Sequence, residues 1–247
     1  MVMNVLRRNT ARRHIRIGTG EKWCTFYPSE DTDSSIDGFG VIVLLNEYML
    51  PSNEKILTDL VHGTELVSYA YNGALALEGP EGHSGIITAG EFQYMTILRG
   101  HRQRITNTSR TESACVFSLH LRMPSAQSQV DRINVQTRFT KAQRHNVLCA
   151  VASPDAGKES LRLMTNAHVY SSILDPGQHV VHELRQRRKV WLHIVHGKVT
   201  ANKIDLTGGD GMGISDETAI SLTARENAEL LLIDTIEDTP DAHQKTA

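Results

Sequence analysis

The sequence predicts an all-β protein built from two similar barrels in tandem. Three observations carry that prediction: short apolar runs bounded by turn residues, little helical periodicity, and a degenerate repeat about half the chain long. The runs rich in β-branched and apolar residues fall at 40–45, 66–71, 84–87, 115–121, 190–195 and 230–233. Short strands at such spacing indicate a sandwich or a barrel. Val5-Leu6 and Ile15-Arg16-Ile17 read as further strand-forming segments near the start.

The turns support the repeat. Asn72-Gly73 and His196-Gly197 each sit between two strand-like runs, and both are tight-hairpin signals because glycine accepts positive φ without steric cost. These glycines lie 124 positions apart. Each is followed by a second turn, Gly90-Glu91 in the first copy and Gly209-Asp210 in the second, and then by an apolar run. The division that follows is a first barrel over 1–123, a crossover over 124–139 rich in Ser, Gln and Pro, a second barrel over 140–237, and a polar tail over 238–247.

Composition narrows the classes of function. With 26 Lys and Arg against 28 Asp and Glu, the formal net charge of -2 gives no global argument for nucleic-acid binding. No apolar run reaches membrane-spanning length, so no membrane partner is expected. The three cysteines, Cys24, Cys115 and Cys149, are odd in number and lack CxxC spacing, which argues against a disulfide framework or a thiolate zinc site. A reducing, cytoplasmic home is the simplest expectation. Cys24 and Cys149 are the candidates for any redox role.

Several segments resemble the pirin-like bicupins, the family of pirin and the bacterial quercetinase-type proteins. They are Trp23-Cys24-Thr25-Phe26, Gly38-Phe39-Gly40, Ala89-Gly90-Glu91-Phe92-Gln93-Tyr94-Met95, Val151-Ala152-Ser153-Pro154-Asp155, Arg187-Arg188-Lys189-Val190-Trp191 and Gly209-Asp210-Gly211, in the family's order. The resemblance implies two tandem cupin (jelly-roll β-barrel) domains. It also implies one metal in the first of them, held by a His-x-His pair and a later His-x-Glu pair.

Carried over residue by residue, the first pair falls on Asp59 and Val61 and the second on Gln103 and Ile105, 44 positions apart, as the resemblance requires. Aliphatic side chains cannot coordinate, and a glutamine amide is a poor transition-metal ligand. The expectation is therefore a degenerate cupin with no metal cofactor. Fe, Mn, Ni or Cu would enter only through a site rebuilt from His62, Glu65 and His101, which with Arg102 are the candidates for the pocket rim. His62 should point away from the pocket if Val61 points in, because one step along a strand reverses the face.

The function that follows is binding of a small phenolic or anionic ligand, or interaction with a protein partner, without quercetinase activity. Arg187 and Arg188 mark a possible docking patch. The competing reading is a quercetin 2,3-dioxygenase-like oxidoreductase with a relocated metal site. In the second barrel, His179 and His182 are spaced i, i+3 and do not share a strand face, so a structural role is expected for them and for Glu183.

Overall fold

A computed structural model describes residues 5–27, 37–79, 84–98, 101–124, 133–155 and 160–236, with Ser84 and His101 described at the backbone only. The expected tail over 238–247 and half of the crossover, 125–132, lie outside them. The first strands in chain order are β1 (Val5–Arg7), β2 (Arg13–Ile17), β3 (Gly20–Phe26), β4 (Ile42–Leu50), β5 (Lys55–Leu60) and β6 (Thr64–Asn72). Then come β7 (Ala74–Glu78), β8 (Ser84–Thr88), β9 (Glu91–Ile97), β10 (His101–Asn107), β11 (Ala114–Arg122) and β12 (Asn134–Arg138). A single turn of helix, α1 (Lys141–Arg144), leads to β13 (Cys149–Ser153), β14 (Leu161–Arg162), β15 (Ala167–Leu174), β16 (His179–Glu183) and β17 (Arg188–His196). The last are β18 (Lys198–Ala201), β19 (Ile204–Thr207), β20 (Gly211–Ser215), β21 (Ala219–Ala224) and β22 (Ala228–Ile236).

These strands make two pairs of sheets. A seven-stranded sheet, β12-β9-β6-β11-β4-β3-β2, faces a four-stranded sheet, β5-β10-β7-β8. In the second half, β1-β20-β17-β22-β15-β13-β14 faces β16-β21-β18-β19. The tight hairpins expected at Gly73 and Gly197 are not formed: each turn carries the chain from a large sheet to the facing small one, β6 to β7 and β17 to β18, and these strands do not pair. Glycine is required at both turns: Gly73 and Gly197 have φ of 71° and 81°. A Cβ on Gly197 would lie 2.1 Å from the Asn227 carbonyl oxygen, and one on Gly73 2.7 Å from Ala114.

Alternation along each strand divides the core into layers. Phe26, Tyr69, Phe92, Tyr94, Phe117 and Leu119 of the first large sheet pack against Val169, Trp191, Leu231 and Ile233 of the second, so the two large sheets lie back to back. Inside the second barrel the filling is aliphatic, with Leu174, Val190, Leu192, Ile194, Met212, Ile214, Leu230 and Leu232 all fully buried.

Two exchanges modify the simple division into halves. β1 pairs with β20, so the start of the chain adds an edge strand to the second large sheet. Part of the expected crossover is itself a strand: β12 pairs with β9 over the whole of Asn134–Arg138. The arginines near the start serve this exchange. Asp210 accepts hydrogen bonds from the Asn9 amide at 2.8 Å and from Arg8 at 2.9 Å, while Arg12 pairs with Glu47 at 2.7 Å.

Candidate functional site in the first barrel

The interior of the first barrel is layered, apolar at the bottom and polar in the middle. Leu50, Ile56, Ala70, Leu75, Leu77, Ile87, Ile105 and Val116 form the apolar floor with the ring of Tyr48. The next level of the large sheet is a transverse row of polar side chains. Gln93 registers with Ser68, Ser68 with Ser118, and Ser118 with Asn46, and all four are buried. The facing sheet answers at this level with Gln103 and Thr58, which are partners across β10 and β5. Above the belt lie Leu60, Leu66 and Met95, with His120 beside Leu66 in register.

Part of this belt is hydrogen-bonded internally. The Asn46 amide donates to the Tyr48 hydroxyl at 3.2 Å, and that hydroxyl lies 2.8 Å from Thr58 Oγ1, which bridges the two sheets. Thr64 Oγ1 donates to the Val61 carbonyl at 2.6 Å, so its contact with His120 Nδ1 at 3.0 Å requires the imidazole to be the donor. Burial, aided by the charge of Lys22, lowers the pKa of His120 to about 4 and keeps it neutral. Other atoms have no partner: Gln103 Nε2 and Oε1, Gln93 Oε1 and Asn46 Oδ1 are all buried without a hydrogen bond.

Of the ligand positions implied by resemblance, Gln103 and Ile105 are fully buried inside the barrel. Asp59 is not with them, which corrects the expectation that it lines the pocket. Its side chain is 86% exposed and pairs with Arg102, itself 69% exposed, on the outer face of the small sheet at 3.0 Å. The inward side chains of β5 are Ile56, Thr58 and Leu60. Val61 follows the strand's end, in a turn closed by Gly63 with φ of 71°.

The rim residues separate as well. His62 is exposed in that turn, and Arg102 faces outward. The side chain of His101 lies outside the described residues. Glu65 is fully buried on the opposite face of its sheet, where it accepts from the Tyr94 hydroxyl at 2.6 Å and from the amides of Met164 and Thr165 at 2.6 and 2.8 Å. It clasps the two halves together and cannot serve the pocket as a base.

The signal for the missed residues was in the strands. Ser68 within Leu66–Tyr71, and Ser118 and His120 within Cys115–Leu121, interrupt apolar runs at alternate positions, and only one face of a strand can hold such a pattern. The metal test is one of donor chemistry. The inward side chains at the implied positions and opposite them are an amide, a hydroxyl and three aliphatic groups (Ile56, Leu60 and Ile105), which is no transition-metal donor set. No group of three or more His, Cys, Asp or Glu suited to a metal occurs among the described residues.

The mouth of the second barrel carries a different kind of cluster. Asp234 accepts from His182 at 2.9 Å and from Arg188, whose other nitrogens reach Asn166 at 2.9 Å and His168 at 3.3 Å. Desolvation opposes ionisation of Asp234, but these hydrogen bonds and charges outweigh it and lower its pKa. His179 meets Thr223 Oγ1 at 3.0 Å, and Glu183 is exposed. Arg188 is thus committed to the fold, while Arg187 stays exposed beside a cleft of 540 Å³. Cys24 is buried, and burial raises its thiol pKa. Cys149 is half-buried.

Comparison with known proteins gives a consistent family. A family model described as the quercetinase C-terminal cupin domain matches residues 150–235. A protein of Escherichia coli (strain K12) named quercetin 2,3-dioxygenase is 30% identical over 232 residues, covering 94% of this chain and 98% of that one. A pirin-like protein of Caulobacter vibrioides is 30% identical over 69% of this chain and 72% of its own length. The crystal structure of YhhW from Escherichia coli matches with a TM-score of 0.85 at 27% identity, covering 97% of this chain and all of that one. A structure of bacterial pirin YhhW in complex with nickel(II) matches with a TM-score of 0.83 at 27% identity, covering 95% and 100%. The paired sheets, the aligned segments and identity sustained across nearly the whole length lead to one conclusion: the chain belongs to the pirin-like bicupin family.

Proposed function

We propose that this chain is a pirin-like bicupin without a functional metal site, whose first barrel binds a small molecule and does not carry out flavonol oxygenation. The observation that carries this reading is the pair Gln103 and Ile105, buried at two implied ligand positions and paired across β5 with Thr58 and Ile56. A neutral amide, a hydroxyl and aliphatic groups cannot supply the charge-donating ligands that a dioxygenase metal needs. The unpartnered belt atoms favour binding: several lie together at one level of the first barrel, whereas the otherwise apolar filling of the second leaves the Ser172 hydroxyl alone without a partner among the described residues. Regulation of a protein partner through ligand occupancy is compatible with this chemistry.

The competing reading is a quercetin 2,3-dioxygenase with a relocated metal, and the name of the Escherichia coli relative favours it. Oxygen consumption with quercetin, measured on protein loaded in turn with Fe, Mn, Ni and Cu, separates the two. The proposal expects no uptake above the metal-only background while the Escherichia coli relative is active in the same assay. Uptake that saturates with quercetin and is lost in His62→Ala or His101→Ala would establish the competing reading.

A further inference from the structure

We infer that the ligand of the first barrel is an uncharged molecule carrying an amide-like edge, one hydrogen-bond donor beside one acceptor, that pairs with the side chain of Gln103. The inference rests on the small-ligand reading above and specifies its chemistry. Gln103 is fully buried, yet both of its amide atoms lack partners among the described residues. A buried unpaired polar group costs about 1–3 kcal/mol, so native structures supply a partner, as protein, water or ligand. An amide with both ends unpaired is matched by another amide edge through two parallel hydrogen bonds.

The surroundings set the rest of the specification. Asn46 Oδ1 and Gln93 Oε1 are further acceptors without donors, so the ligand should carry an additional N–H or O–H directed at the belt. The floor is apolar, and so is the upper layer apart from the imidazole of His120, which suits a flat ring above and below the polar level. His120 is neutral, and Cys24 is a buried thiol opposite Asn46 in register. The cations on this face are Lys22, which is opposite Tyr48 in register and 5.5 Å above its ring, and Arg13, which is opposite Cys24 at the sheet's edge. Lys22 is the group an anionic ligand would seek, so it serves as the control.

The test uses the full-length protein, ligand-observed NMR and two probes of similar size, 2-pyridone (a neutral lactam) and benzoate. The expected result is that 2-pyridone binds, that Gln103→Leu weakens it about tenfold or more, as loss of two hydrogen bonds implies, and that Lys22→Met has little effect. Thermal melting guards against a folding defect. Gln103→Leu removes an unpaired amide from an apolar-floored site, so its ligand-free melting temperature should equal or exceed that of the parent. A markedly lower one would mean that the amide is satisfied internally, and would overturn the inference. Benzoate binding that depends on Lys22 and ignores Gln103 would overturn the ligand class while leaving small-ligand binding intact. Failure of both probes, with only ordered waters on Gln103 in a crystal structure, would overturn both.

Discussion

Arg144 and Glu229 are buried between the two large sheets, 2.7 Å apart, with Tyr69 and Ser171 completing the guanidinium's partners. Desolvation works against the Glu229 carboxylate, but hydrogen bonds from His196 and Tyr69 and the charge of Arg144 outweigh it and lower its pKa. Replacing Arg144 by Met leaves that carboxylate buried without its cation, and the expected loss in urea denaturation is about 3 kcal/mol or more. His120 and His193 contribute in a different way. Both are held neutral, mainly by burial, with pKa values below the ordinary 6.5. Below that pH the unfolded chain binds protons that the native chain refuses, so stability falls as pH drops. For His120 alone, with its pKa at about 4, the loss between pH 7.5 and 5 is about 2 kcal/mol. His168 acts in the same sense, and His196, whose pKa is raised, opposes it. Urea midpoints across that range should therefore decline, and His120→Gln should flatten the decline.

At the scale of the element, β5 shows what could be read from the sequence and what could not. The family resemblance put the first ligand pair on Asp59 and Val61, 44 positions before Gln103 and Ile105. Val61 lies in the turn at 61–63, where strand alternation stops. The strand itself ends at Leu60 and points Ile56, Thr58 and Leu60 inward. β10 has no such break between the counted positions, so Gln103 and Ile105 lie on one face. Val5-Leu6 was legible as a strand, but its partner in the second barrel was not, and β12 was read as crossover although it pairs with β9 of the first barrel. β1 is fixed to the second sheet by its segment's contacts with Asp210, which accepts from Asn9, Arg8 and Thr207. Asp210→Ala should lower stability by about 1–3 kcal/mol and raise amide exchange across Val5–Arg7, checked by hydrogen–deuterium exchange.

At the scale of the whole molecule, the repeat in the sequence becomes two barrels with opposite interiors. The second is aliphatic apart from Ser172 and the ring of Tyr170, and is closed at its mouth by Asp234, Arg188, His182 and His168. The first has a belt of amides and hydroxyls between two apolar layers. That contrast was only half legible: missing metal ligands could be read from Gln103 and Ile105, whereas the belt needs the register of four neighbouring strands. It also changes the meaning of the basic run near 187. Reversing Arg188 would break the Asp234 cluster, so Arg187 is the position at which a docking surface can be tested without disturbing the fold.

On the proposed reading, the first barrel holds no metal because its inward side chains are the wrong donors. Nickel(II) binding, measured by elemental analysis after dialysis, tests it on two proteins together. The parent chain should retain far less than one equivalent. The quadruple variant Thr58→His, Leu60→His, Gln103→His and Ile105→Glu should retain about one, because those four positions share the interior. Stoichiometric nickel on the parent, abolished by substitution of His62 or His101, would contradict the account.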